Sequence, residues 1–281
     1  MKEQEIRKAV RQRYADAAKQ IGGCGCGVSS PCCGGVGLPK DISKAIGYSE
    51  EDVVAVPEGA NLGLGCGNPV ALASLKKGEV VLDLGSGAGF DCFLASKKVG
   101  KKGKVIGVDM TPEMIDKARE NANNGRYANV EFRLGEIENL PAADNSVDAI
   151  ISNCVINLSL DKGRVFREAY RVLKPGGRLM VSDLVLLKGL PKGIKESIVS
   201  YVSCIAGALM RDAYLDAMKK AGLRGVRVVE QSAYPLELLV NDSTAREAIK
   251  ELQLTDKKLQ DIARSVVSMK VEAMKPKRQA K

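Results

Sequence analysis

The stretch Val80–Phe90, with the sequence VVLDLGSGAGF, decides the fold class of this chain. A run suited to a buried strand enters a loop with three glycines, and Phe90–Val99 continues with a helical pattern. Strand, glycine turn and helix in this order are typical of an open α/β sheet, because glycines let the backbone turn sharply and approach a ligand closely. The spacing excludes two nucleotide-binding loops. A dinucleotide fingerprint needs glycine where Phe90 stands, and no Gly-Lys-Ser/Thr follows to make a Walker loop.

Apolar segments alternate with helical patterns through the centre of the chain. The predicted strands are Glu79–Leu84, Lys104–Val108, Val130–Leu134, Val147–Ser152 and Gly177–Leu184, and the helices between them are Phe90–Val99, Pro112–Asn124 and Lys162–Leu173. Continuous apolar strands separated by helices favour a parallel sheet that is covered on both faces. Right-handed crossovers then give a doubly wound, mostly parallel α/β sandwich.

Segments on either side of this alternation are predicted to extend the domain. Before it, Glu3–Gln20 has an amphipathic helical pattern, and Ile21–Pro39 is a loop rich in Gly and Cys. After it, we expect helices at Ile194–Leu209 and Ala213–Ala221, a strand at Val226–Val229 and a charged helical region at Ser243–Met274. The chain therefore divides into an N-terminal segment of residues 1–47, a central domain of residues 48–190 and a C-terminal segment of residues 191–281.

The composition of the 281 residues narrows the class of protein. Hydrophobic residues make up 45% and charged residues 27%, as in ordinary globular proteins. No apolar run approaches the ~18–20 residues that span a bilayer, and the charged N-terminal stretch lacks the apolar core of a secretory signal. The net charge is +9, but the basic residues are scattered and aromatic residues are only 4%, with no Trp. We therefore expect a cytoplasmic protein with neither a membrane nor a nucleic-acid partner.

The chain has no His but has eight Cys, at positions 24, 26, 32, 33, 66, 92, 154 and 204. The missing His removes the commonest general base and metal ligand. In a reducing compartment the cysteines are thiols rather than structural disulfides. Many thiols without an imidazole favour chemistry on a soft, thiophilic centre over hydrolysis or acyl transfer.

The glycine loop follows the pattern acidic-x-Gly-x-Gly-x-Gly, which resembles the first motif of class I S-adenosylmethionine methyltransferases. Asp109 ends the second strand, where this superfamily binds the ribose hydroxyls, and Gly135-Glu136-Ile137 resembles the segment that receives the adenine. The resemblance implies a seven-stranded class I methyltransferase sheet and a cofactor site formed by Asp83, Gly85, Ser86, Gly87, Gly89, Asp109, Met110, Glu136, Ile137 and Asn153.

Three cysteines have informative surroundings. Cys154 lies at the predicted carboxyl end of the fourth strand, facing the cofactor crevice. Cys66 is flanked by glycines just ahead of a helix start, a setting that lowers a thiol pKa. Cys204 lies on the predicted helix after the fifth strand. For any one of them, burial as a small apolar residue remains the alternative.

The sequences around these cysteines, with Gly-Leu-Gly-Cys66-Gly, Ser-Asn-Cys154-Val-Ile-Asn-Leu and Cys204-Ile-Ala-Gly-Ala-Leu, resemble the arsenite S-adenosylmethionine methyltransferases over Tyr48–Tyr234. The resemblance implies that Cys66, Cys154 and Cys204 bind As(III). It also implies a fourth cysteine in disulfide exchange with thioredoxin or glutathione as reductant. Cys32 is favoured for that role, with Cys33 next. The implied substrates are arsenite and its thiol conjugates, with no metal cofactor.

Other interpretations remain open at this stage. Cys24, Cys26, Cys32 and Cys33 fit a four-thiolate zinc site poorly, because adjacent cysteines splay badly around one tetrahedral ion. Cys92 is assigned to core packing. A quinone- or sterol-type methyltransferase would bury the cysteines singly, and a metalloid-binding protein would bind arsenite without transferring a methyl group. A base-modifying enzyme is disfavoured because Asn/Asp-Pro-Pro-aromatic is missing at the fourth strand.

Overall fold

The computed structural model describes residues 3–19, 39–69, 74–195, 197, 201, 204–234, 249–251 and 255–277. Its helices are α1 (Glu3–Lys19), α2 (Pro39–Ala45), α3 (Glu50–Val54), α4 (Phe90–Val99), α5 (Pro112–Asn124), α6 (Lys162–Val172), α7 (Lys192–Lys195), α8 (Arg211–Lys220) and α9 (Asp256–Ser265). Its strands are β1 (Val80–Leu84), β2 (Lys104–Asp109), β3 (Val130–Leu134), β4 (Val147–Asn153), β5 (Leu173–Leu186), β6 (Arg224–Ala233) and β7 (Val266–Met274).

The seven strands form one sheet in the order β3-β2-β1-β4-β5-β7-β6. β1 pairs in parallel with β2 on one side and with β4 on the other, and β7 runs antiparallel to both of its neighbours, β5 and β6. The strand order reverses beside β1, so a crevice opens at the carboxyl ends of β1 and β4, where open α/β sheets bind ligands. The predicted doubly wound, mostly parallel seven-stranded sheet is confirmed.

Two apolar cores cover the two faces of the sheet. On one face Leu82 and Ile150 pack with Phe166 of α6 and Tyr214 of α8. The other face packs Val81 and its neighbours against α4 and α5, through residues such as Phe93 and Ile115. Successive residues of β1 thus enter opposite cores, which explains its continuous apolar sequence. Within the described ranges, none of the helices combines the length and apolar character that crossing a membrane requires.

The prediction of a helical region at Ser243–Met274 is wrong over its last part. Val266–Met274 forms β7, which is inserted antiparallel between β5 and β6. The spacing of the polar residues explains the difference. Ser268, Lys270 and Glu272 alternate with apolar residues, which is the two-residue repeat of a strand. Asp256–Ser265 is helical as predicted, and residues 243–248 and 252–254 lie outside the described residues.

The helix predicted at Ile194–Leu209 is also wrong around Cys204. Cys204 lies in a turn with φ of 66°, and the described helix in this region is Lys192–Lys195. A Cβ on Gly207 would lie 2.2 Å from the carbonyl oxygen of Asn157, so the chain approaches this backbone more closely than a side chain allows. Residues 198–200 and 202–203 of the predicted helix lie outside the described residues.

Candidate active site

A cavity that opens to solvent lies at the carboxyl ends of β1, β2 and β4. The glycine loop forms one wall, and Cys154 at the end of β4 forms part of another. Helix α1 also lines the cavity, through Arg7, Val10 and Tyr14. Arg7 joins α1 to the rest of the site through an ion pair of 2.7 Å with Glu136.

The glycine loop fits close approach of a ligand. Gly85 has φ of 68°, and a Cβ there would lie 2.4 Å from Val155, so this position requires glycine. Gly87 also has positive φ, and its backbone N–H donates to Asp109 Oδ2 at 3.0 Å. Among the described residues, the buried hydroxyl of Ser86 in the cavity wall has no hydrogen-bond partner. A polar ligand in this cavity would supply the missing partner.

Asp109 is held firmly at the end of β2. Besides the Gly87 amide, its carboxylate accepts from the backbone N–H of Thr111 at 2.9 Å. Burial raises its pKa, while these hydrogen bonds oppose the shift. Burial also raises the pKa of Asp83 well above its usual range, and Cys92 donates its thiol to Asp83 Oδ2 at 3.2 Å. Both carboxyl groups line the cavity, where a ligand with hydroxyl or amino groups provides compensating donors.

Most of the predicted cofactor residues meet at this cavity. The ones that line it are Asp83, Gly85, Ser86, Gly87, Asp109, Met110, Ile137 and Asn153. Glu136 is not among the lining residues, and its carboxylate pairs with Arg7 instead. Gly89 is also outside the lining and precedes α4, where a Cβ would lie 2.7 Å from Phe93. These two residues therefore do not line the cavity themselves, although Arg7, the partner of Glu136, does.

The three cysteines singled out from the sequence meet at the edge of the cavity. The sulfurs of Cys154 and Cys66 lie within 4.8 Å of each other, and the thiols of Cys66 and Cys204 both shift the pKa of the Cys154 thiol. Cys204 Sγ also donates to the carbonyl oxygen of Cys154 at 3.2 Å, and Cys66 Sγ lies 3.5 Å from the carbonyl oxygen of Ser182. Cys66 and Cys204 are buried, while Cys154 lines the cavity. The trio thus has one member at the surface of the cavity and two behind it.

The pKa values of all three thiols are raised. Burial is the main cause for Cys66, and the hydrogen bond with Cys154 is the main cause for Cys204. For Cys154, the hydrogen bond from Cys204 lowers the pKa, but the hydrogen bond with Cys66 and burial raise it by more. The predicted lowering of the Cys66 pKa by a helix start is therefore wrong, because desolvation dominates. In the absence of a ligand the cluster consists of neutral thiols.

The side-chain amide of Asn153 ties the loop that carries Cys66 to the end of β4. Its Oδ1 accepts from the backbone N–H of Cys66 at 3.0 Å. Its Nδ2 donates to the carbonyl oxygen of Gly67 at 2.8 Å and to the Tyr48 hydroxyl at 2.8 Å. A Cβ on Gly65 would lie 2.8 Å from the same Nδ2, so glycine is needed for the loop to approach. Asn153 therefore sets the distance between two of the three thiols.

Two residues of this site are not identified from the sequence. Tyr14 on α1 lines the cavity, and its pKa is raised well above its usual range by burial and by the neighbouring thiols of Cys204 and Cys154. Asp183, on β5, has a carboxylate oxygen that lies with the sulfurs of Cys66 and Cys154 in a group whose ligand atoms are all within 4.8 Å of one another. Burial raises the pKa of Asp183 to about 7. The sequence signal that could have identified Asp183 is an acidic residue inside an apolar strand, and Asp83 has the same signal.

Comparisons with known proteins agree with this geometry. A family model described as a methyltransferase domain matches residues 75–222. An arsenite methyltransferase of Halobacterium salinarum is 45% identical over 98% of this chain and 68% of its own length. The chain belongs to the arsenite methyltransferase family. The human arsenite methyltransferase is 35% identical over 82% of this chain and 61% of its own.

A solved structure extends the agreement to the fold. The crystal structure of an arsenic(III) S-adenosylmethionine methyltransferase from Chlamydomonas reinhardtii superposes with a TM-score of 0.63 at 33% identity, covering 88% of this chain and 77% of that one. The chain spans about two thirds of the length of the archaeal and human relatives, at 68% and 61%. Membership of the arsenite methyltransferase family thus covers almost all of this chain, but only part of those relatives.

Proposed function

We propose that this chain transfers methyl groups from S-adenosylmethionine to As(III) held by the thiolates of Cys66, Cys154 and Cys204. The observation that carries the proposal is the clustering of these three cysteines, distant in sequence, at the edge of a cavity suited to the methyl donor. A quinone- or sterol-type methyltransferase has no use for such a trio. Arsenite and its thiol conjugates are the substrates in this proposal.

The cavity residues fit S-adenosylmethionine. In the proposal the carboxylate of Asp109 binds the ribose hydroxyls; this is supported by its position in the cavity lining, beside the backbone of Gly85 and Gly87. Ser86 and Asp83 offer a buried hydroxyl without a partner and a buried carboxyl for the polar end of the molecule. When bound, the cofactor supplies an electrophilic methyl group on a sulfonium.

Loading of arsenic suits neutral thiols. Each As–OH bond of arsenious acid is exchanged for an As–S bond, and the thiol proton leaves with the hydroxide as water. Three exchanges therefore release three waters and no net proton. For this reason the raised pKa values of Cys66 and Cys204 do not oppose binding of the metalloid.

Three sulfurs around As(III) leave its lone pair free to attack the methyl carbon. The lone pair carries no proton, so the step needs no general base, in agreement with a chain that has no His. The task of the protein is to hold the arsenic in line with the methyl carbon at about 3–3.5 Å. Asn153 and the turn at Cys204 fix the thiols for this purpose.

Methyl transfer oxidises arsenic formally from the trivalent to the pentavalent state, so two electrons must return. In the proposal a further thiolate attacks one of the arsenic-bound sulfurs, forms a disulfide and leaves arsenic trivalent with two sulfur ligands. Cys32 is proposed for this role, with Cys33 as the alternative, and both lie outside the described residues. Thioredoxin or glutathione would reduce the disulfide, which fits a cytoplasmic location.

The test is incubation with S-adenosylmethionine, arsenite and a thiol, followed by arsenic speciation. Wild type should yield methylated arsenicals, while Cys154→Ser and Cys204→Ser should yield none and still bind S-adenosylmethionine in calorimetry. Cys92→Ser is the matched control, because Cys92 is a buried thiol outside the trio and Ser keeps a donor for Asp83. It should remain active.

Full activity of Cys154→Ser or Cys204→Ser would exclude the three-thiolate site. Arsenite binding by the wild type without any methylated product would instead indicate a metalloid-binding protein. A crystal soaked with phenylarsine oxide offers a direct check, since arsenic density should lie at the thiol cluster.

A further inference from the structure

Asp183 is a fully buried carboxyl group beside the thiol cluster, and the chemistry described above does not use it. Its carboxylate oxygen and the sulfurs of Cys66 and Cys154 lie within 4.8 Å of one another. None of the side chain is exposed, and it belongs to β5, which is paired on both sides within the sheet. The carboxylate is therefore placed rigidly beside the position that arsenic takes between the sulfurs.

The surroundings hold this carboxylate without neutralising it by a close ion pair. Oδ2 accepts from the Tyr214 hydroxyl at 3.0 Å, and Oδ1 accepts from the backbone N–H of Leu184 at 3.0 Å. Lys162 attracts Asp183 electrostatically, but its ammonium donates to the carbonyl oxygens of Asn157 and Ser159, at 3.3 and 2.7 Å. A buried carboxyl group is costly, so a fold that keeps one beside a substrate site suggests a use for it.

Methyl transfer places a positive charge on the arsenic, beside Asp183. Before the step, arsenic bound to three thiolates is neutral and the sulfonium carries the positive charge. As the As–C bond forms, the S–C bond breaks and its electron pair stays on the departing sulfur. The thioether product is then neutral, and the positive charge lies on the methylated arsenic. The charge therefore moves from the cofactor cavity towards Asp183.

We infer that Asp183 is the counter-charge for arsenic in the transition state of methyl transfer. This inference rests on the proposed function and adds a fourth, oxygen group to the three sulfurs. A negative charge held beside arsenic before the reaction stabilises the transition state, in which positive charge develops on arsenic, more than the ground state, in which arsenic is neutral and the positive charge lies on the sulfonium. It therefore raises the rate rather than the affinity. Two rival roles make different predictions: a structural role would lower stability and binding, and a proton acceptor for the thiols would affect only arsenic loading.

The test is single-turnover methyl transfer by Asp183→Asn at saturating arsenite and S-adenosylmethionine. Asn keeps the size of the side chain, an acceptor for Leu184 N–H and a polar partner for Tyr214. We expect the rate to fall by roughly 10²-fold, the size that a close pair of unlike charges supports inside a protein. The dissociation constants of phenylarsine oxide and S-adenosylmethionine should stay within about threefold of wild type, since neither ligand brings a net charge to the thiol cluster before reaction.

Two further variants separate charge from structure. Asp161→Asn is the matched control. Asp161 is an exposed carboxylate that accepts from Arg164 N–H at the start of α6, and Asn can accept the same N-cap hydrogen bond. It should leave the rate unchanged. Tyr214→Phe removes a hydrogen bond from Asp183 but keeps its charge, so the rate should fall by much less than in Asp183→Asn even if the protein melts earlier.

Each outcome decides the inference. A wild-type rate in Asp183→Asn, or a loss confined to the rate of arsenic loading, would overturn it. Equal losses of rate in Asp183→Asn and Tyr214→Phe would also overturn it, because they would indicate a structural role. If Asp183→Asn does not fold, a large loss of rate in Tyr214→Phe would overturn the inference for the same reason. If the wild type produces no methylated arsenic, the proposed function fails and not this inference alone.

Discussion

Replacement of Asn153 by Ala tests whether this side chain serves the cofactor or the arsenic site. The sequence resemblance assigns it to the cofactor, whereas in the structure its amide holds the loop of Cys66. Truncation removes the acceptor of the Cys66 N–H and the donor to the Gly67 carbonyl, which lie 3.0 and 2.8 Å away. It also removes the donor to the Tyr48 hydroxyl at 2.8 Å.

The magnitude follows from the groups left without partners. Each buried polar group that loses its hydrogen bond costs about 1–3 kcal/mol, and water entering from the cavity compensates part of this. We expect the free energy of unfolding to fall by about 2–4 kcal/mol. Because Cys66 is no longer held against Cys154, arsenic affinity should fall by at least about tenfold, equal to about 1.4 kcal/mol. S-adenosylmethionine affinity should change by less than about threefold.

Urea unfolding measures the stability, and calorimetry measures S-adenosylmethionine binding. Phenylarsine oxide binding is followed by tyrosine fluorescence, since the chain has no Trp. Asn129→Ala is the matched control, because Asn129 accepts from Ser96 Oγ at 2.7 Å and donates to the Gly100 carbonyl at 3.0 Å, away from the cavity lining. It should lose stability but keep arsenic affinity. Loss of S-adenosylmethionine binding with unchanged arsenic binding in Asn153→Ala would refute the reasoning.

Three further predictions address other residues. Asp109→Ala should lower S-adenosylmethionine affinity by roughly 100-fold while thermal unfolding stays cooperative, and calorimetry showing normal binding would exclude the ribose assignment. Cys66→Ser should impair the first methylation more than later ones in a speciation time course, because a methylated arsenical needs only two thiolates; equal losses at each step would contradict this order. Hydrogen bonds from Arg133 and Lys104 lower the pKa of Glu131 to about 2. Its ionised form therefore stabilises the fold above about pH 4.5 and loses that effect as the pH falls towards 2. Glu131→Gln should cost under about 1 kcal/mol at pH 7 in urea unfolding, since the pair is partly exposed, and a difference that persisted at pH 2 would contradict the assignment.

Local patterns predicted most of the central sheet. The strand at Val130–Leu134 and the helix at Pro112–Asn124 have the same bounds in the structure as in the sequence analysis. These elements carry strong signals, an alternation of apolar and charged residues (VEFRL) in one case and a capped amphipathic repeat in the other. The last strand, Val266–Met274, was missed because its charged residues suggested a helix, although they recur with a period of two.

The candidate site was predicted in part. The acidic and glycine residues of the cofactor cavity follow from their position at strand ends, since parallel strands bring those ends to one edge. The placement of Glu136 away from the cavity lining depends on Arg7 of a distant helix, which no local pattern indicates. The conformation of Cys204 likewise depends on a close packing of Gly207 against Asn157.

The amino-acid sequence by itself was enough to predict an open α/β sheet and a glycine loop at its first turn. The repeat of apolar residues and the spacing of glycines are properties of a few neighbouring residues, so they can be seen without the tertiary structure. The chemistry of the thiol cluster was decided by long-range packing. Whether Cys66 is a thiolate or a thiol depends on how much water the folded chain leaves around it, and burial raises the pKa of its thiol. The position of Asp183 beside the sulfurs depends in the same way on the registry of β4 and β5, which only the assembled sheet specifies.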